Sequence, residues 1–122
     1  MSLLLALFGL GFTAMGLWAA ADPRSFTDVV ADFGAYNPHL IHDYAAASLA
    51  FGIGLLAAAR RVAWRVPVLA LAVLWNGFHA VSHIADVEHA ASRTVGIIDA
   101  VGLVVLTGLL AVAWRSAKHS SA

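Results

Sequence analysis

Long apolar stretches separated by short polar ones dominate the chain. Leu3–Ala21 contains no ionisable side chain, Leu40–Ala59 is apolar except near its start, Val66–Ala85 except near its end, and Val95–Trp114 carries one acid, Asp99. Each is close to the roughly 20 residues that cross a hydrocarbon core as a helix. Backbone amides in lipid must be paired internally, which helices of this length achieve. The pattern predicts an all-α fold: a four-transmembrane-helix bundle forming a single integral membrane domain over residues 1–122, in contact with the lipid bilayer. Between the spans lie Asp22–His39, Arg60–Arg65 and Asp86–Thr94. In the first of these, Phe26, Val29, Val30 and Phe33 recur at helical spacing, with Asp28 and Asp32 opposite. This predicts a short amphipathic helix at the membrane surface between the first two spans. Gly34 and Asn37-Pro38 should end it and turn the chain back into the bilayer.

Composition narrows the class. With 61% hydrophobic and 11% charged residues, the chain has too few polar side chains to clothe a water-facing surface. Seven bases balance seven acids, so no basic footprint for nucleic acid exists, and the absence of cysteine excludes disulfides and thiolate ligands. Ala19-Ala20-Ala21 before Asp22 has the form of a signal-peptidase site, but no Lys or Arg precedes the apolar run. The run also exceeds a signal core of about 7–15 residues, so the first span is expected to be retained.

Charge placement sets the expected orientation. Arg60, Arg61, Arg65, Arg115 and Lys118 fall at one side of the predicted layout, whereas Arg24 and Arg93 fall at the other. The positive-inside rule puts the larger set, and both termini, on the cytoplasmic side of the inner (plasma) membrane. All seven acids and five of the six histidines then gather toward the outer face.

His79, His83 and Asp86 share one helical stripe, which Asn76 extends one turn deeper and His89 outward if the helix continues that far. Two histidines at i and i+4 commonly present two imidazoles to one metal ion. At the start of the second span, His39 and Asp43 are also i, i+4 partners, with His42 beside them, and Asp99 lies near the outer end of the fourth span. The predicted topology brings these groups to similar depth. Imidazole and carboxylate donors without sulfur suit zinc, copper or iron. The expected metal ligands are His39, Asp43, His79, His83 and Asp86, with His42, Asn76, His89 and Asp99 as outer-sphere or alternative groups. Other readings are haem held by two histidines, a proton path, and a polar network that only fixes helix register in a scaffold or accessory subunit. Gly9, Gly11 and Gly16, Gly52 and Gly54, and Gly96, Gly102 and Gly108 are expected to let helices pack closely, within one chain or in a homo-oligomer. No catalytic residue is assigned, and the chain is not committed to being an enzyme.

At these residues the chain resembles small actinobacterial four-helix membrane proteins of unknown function, the DUF4345 type, with a DoxX-like layout. The resemblance rests on Asn37-Pro38-His39-Leu40-Ile41-His42-Asp43-Tyr44-Ala45-Ala46 and on His79-Ala80-Val81-Ser82-His83-Ile84-Ala85-Asp86. His42 stands where the family pattern has Arg, and Ser82 where it has Asn. The first difference adds a donor and removes a cation that could hold Asp43. The resemblance implies the four-helix fold and brings no activity with it.

Overall fold

The computed structural model describes residues 1–119. Among them there is no strand. The helices are α1 (Ser2–Ala21), α2 (Pro23–Val29), α3 (Pro38–Arg60), α4 (Val62–Ala85) and α5 (Arg93–His119), with a single 3₁₀ turn at Val87–His89. The four long helices are each long and apolar enough to cross a membrane, which makes this a multi-pass membrane protein. Each predicted span is found, lengthened by one to five residues at one or both ends.

Side-chain caps define three of the helix starts. Asp22 Oδ1 accepts the Ser25 amide, Asn37 Oδ1 accepts the His39 and Leu40 amides, and Ser92 Oγ accepts the Val95 amide. Pro23 and Pro38 each follow their cap at the first helical position, where a missing N–H costs nothing. The predicted linker Arg60–Arg65 is almost wholly helical; only Arg61 is extended between α3 and α4.

The chain divides into two compact units, Met1–Trp64 and Arg65 onward. In the first, α1 and α3 run antiparallel at very close range. A Cβ placed on Gly9 would lie 2.9 Å from Leu56 N, and one on Gly16 would lie 2.9 Å from Leu49 N. Ser48 Oγ donates to Phe12 O at 3.1 Å, linking the two helices. Small residues and a side-chain hydrogen bond are what helix association in lipid requires, because burial of apolar area supplies little there.

The helix α2 sits against the α1/α3 pair chiefly through Phe26. Phe26 is fully buried among Ala19, Ile41 and Ala45, edge-on to Trp18 and tilted against Tyr44. Trp18 Nε1 donates to Ser25 Oγ at 3.2 Å. The predicted apolar stripe is therefore only partly used. The helix stops at Val29, which is 69% exposed, and Phe33 lies beyond its end. Gly34, at φ +69°, reverses the chain before Asn37.

In the second unit, the turn Val87–His89 packs on the first turns of α5. Gly96 permits this, since a Cβ there would collide with the Val87 carbonyl. Gly96→Ala should lower the unfolding free energy by about 2 kcal/mol, within the range for overpacking, because the atoms met are backbone of the Val87 turn. Thermal denaturation in detergent would measure this loss, with faster amide exchange at 87–89.

Candidate functional site

The polar groups of the second unit gather where α4 ends and α5 begins. Asn76, 2% exposed, donates through Nδ2 to Leu103 O at 3.2 Å and to Thr107 Oγ1 at 2.9 Å. Thr107 Oγ1 in turn donates to Leu103 O one turn back. These bonds tie α4 to α5 and fix their register. Sequence reading singled out Asn76 but not Thr107. A threonine within a span typically bonds the carbonyl four residues back, so its second bond, to Asn76, becomes apparent only once the two helices are paired.

One turn closer to the end of α4, His79 and His83 meet edge to face, with ring centroids 4.6 Å apart. Trp75 stacks on the other side of His79, at 6.2 Å between centroids and 12° between planes. Both imidazoles are half-buried. Asp99 projects from α5. Because α5 starts at Arg93, Asp99 is nearly two turns inside it, about 9 Å along the axis, and His79 is equally far from the end of α4. Asp99 Oδ2 is buried with no hydrogen-bond partner among the described residues. The carboxylates of Asp99 and Asp86 both act electrostatically on His83.

The other predicted ligands lie differently. The α-helix ends at Ala85, and Asp86 opens the 3₁₀ turn, so the stripe does not run on to His89. Instead His89 Nδ1 folds back to 3.6 Å from Asp86 Oδ1, both exposed. Glu88 pairs with Arg93 at 3.1 Å. In the first unit, His39 Nε2 lies 3.6 Å from Asp43 Oδ2, with the histidine side chain 85% exposed, and His42 is exposed beside them. Among the described residues, no three His, Asp or Glu side chains are drawn together closely enough to hold an ion.

Asn76→Leu removes both interhelical bonds while leaving Thr107 its own-helix acceptor. Such bonds average about 0.6 and reach about 1.7 kcal/mol in membranes, so a loss of about 1 kcal/mol is expected in reversible unfolding from mixed micelles.

Comparison with known proteins gives no match to this chain, whether to a family model, a curated protein or a solved structure.

Proposed function

We propose that this multi-pass membrane protein binds a transition-metal ion (zinc, copper or iron) at His79 and His83, with Asp99 and Asp86 supplying oxygen donors and negative charge. The observation that carries the reading is the contact of two half-buried imidazoles, one of which, His83, is within electrostatic reach of Asp99, whose Oδ2 is buried without a hydrogen bond among the described residues. Ionisable groups within a span cost about 2.5–3.5 kcal/mol each on insertion scales. A cation beside Asp99 offsets that cost. Asn76 already ties α4 to α5 through Leu103 and Thr107. Rotation of the two rings from edge-to-face would turn one nitrogen of each toward a common ion, leaving coordination positions for Asp99, Asp86 or water.

His89 and Asn76, on the same unit, are the supporting groups of the proposed site. The proposal puts the site toward the extracytoplasmic face of the plasma membrane, with both termini cytoplasmic. The uneven distribution of Arg60, Arg61, Arg65, Arg115 and Lys118 against Arg24 and Arg93 supports that orientation. Membership of the DUF4345-type group belongs to the same reading and is supported by the motifs around His39 and His79.

The test is elemental analysis of untagged protein, as purified and after dialysis against each of the three metals. About one ion per chain is expected. A Soret band would assign haem instead. A chain that takes up no ion under any condition returns the cluster to a second reading, which the Asn76 bonds favour: a non-catalytic scaffold or accessory subunit whose polar groups hold helices in register.

A further inference from the structure

The far end of α5 carries chemistry that the metal proposal does not use. At 27 residues, α5 is about 40 Å long, roughly 10 Å more than a bilayer core. Its last two turns therefore reach the headgroup layer. There Val112, Arg115, Ser116 and His119 line a shallow groove along one face. His119 Nδ1 lies 2.7 Å from Arg115 O. A carbonyl only accepts, so Nδ1 carries the proton, and the ring is held with Nε2 directed away from that bond. On the neighbouring face the Lys118 ammonium sits over the Trp114 ring, 5.0 Å from its centroid, an aromatic–cation pair suited to the interface.

The cations at this end differ from Arg24 and Arg93. Arg24 pairs with Asp28 and Arg93 with Glu88. Among the described residues, neither Arg115 nor Lys118 has an ion-pair partner. Every acid of the second unit (Asp86, Glu88 and Asp99) lies toward the other end of α5.

We propose that this groove seats the phosphate of an anionic phospholipid. The Arg115 guanidinium faces the phosphate oxygens, and the His119 ring, held by its bond to Arg115 O, borders the same seat. The first acyl carbons run along Val112 into the hydrocarbon. Charge complementarity selects the occupant: Arg115 and Lys118, without carboxylate partners among the described residues, stand at headgroup depth above an apolar wall. A guanidinium offers a planar fork that matches phosphate.

The test is native mass spectrometry of the full chain released from neutral detergent containing equal amounts of phosphatidylglycerol and phosphatidylcholine. Wild-type protein is expected to retain phosphatidylglycerol at least five-fold over phosphatidylcholine. Arg115→Gln/His119→Gln should erase the preference, while Arg60→Gln/Arg61→Gln keeps it. Unchanged melting of each variant without added lipid shows that it is folded. Equal retention of the two lipids by wild type would overturn the proposal. So would a preference that survives the Arg115/His119 change or is lost equally in the Arg60/Arg61 variant. Displacement of the lipid by millimolar inorganic phosphate would also overturn it, reassigning the groove to the free anion.

Discussion

Gly52→Ala is expected to destabilise the first unit by about 3 kcal/mol, the upper end for overpacking. The same change at Gly11 or Gly102 should be neutral or slightly stabilising. A Cβ on Gly52 would lie 2.7 Å from Thr13 N and 3.0 Å from Gly9 O, against the Thr13 hydroxyl as well. Two of these neighbours are helical backbone, which cannot retract without moving α1 bodily. The Thr13 hydroxyl is itself engaged with Gly9 O at 2.7 Å. Separation of α1 from α3 would also break the Ser48–Phe12 bond and open the seat of Phe26. Gly11 and Gly102 have nothing within 4 Å of an added Cβ. There alanine gains helix propensity, up to about 1 kcal/mol, with no clash. Reversible unfolding in mixed micelles measures all three. A Gly52 variant as stable as wild type would mean that α1 and α3 are not in backbone contact.

The second large effect falls on the metal reading. His79→Ala and His83→Ala should each weaken metal binding more than 100-fold, since each removes one of only two imidazoles. Asp99→Asn keeps the shape and removes the charge, so a loss of about 10–100-fold is expected, the range seen when a group supporting a metal site is altered. Competition titration against a chelator of known affinity reads these differences. Ligand imidazoles must be neutral to bind, so occupancy should fall as the solution is acidified. Structural substitutions provide the contrast: Asn76→Leu lowers stability but leaves affinity within a few-fold. If His79→Ala/His83→Ala changed only the melting temperature, the coordination reading would fail and the register reading would stand.

These predictions separate what was readable in the chain from what was not. The spans were readable because hydrocarbon imposes a length and forbids unpaired amides, a constraint local to each segment. The helix starts were equally local, as Asp22-Pro23 and Asn37-Pro38 show. The stripe of His79 and His83 followed from helical periodicity, and the rings do meet. Periodicity failed where the helix stopped. His89 turns back because the chain after Asp86 tightens into a 3₁₀ turn, against which α5 packs at Gly96. Val29 was expected on an apolar face and is exposed, whereas Phe26 and Val30 of the same stripe pack on the α1/α3 pair.

Sequence by itself thus determined that this is a multi-pass helical membrane protein and which titratable groups share a helix. It could not distinguish Gly9, Gly16 and Gly52, which lie where helices touch, from Gly11, Gly102 and Gly108, which face open space. Nor could it show that Asn76 would find Thr107, or that an oxygen of Asp99, within electrostatic reach of His83, would be buried without a hydrogen bond among the described residues. Helix geometry is dictated by near neighbours in the chain, whereas the partner of a side chain depends on which face of another helix arrives against it, and that is settled only when the helices pack.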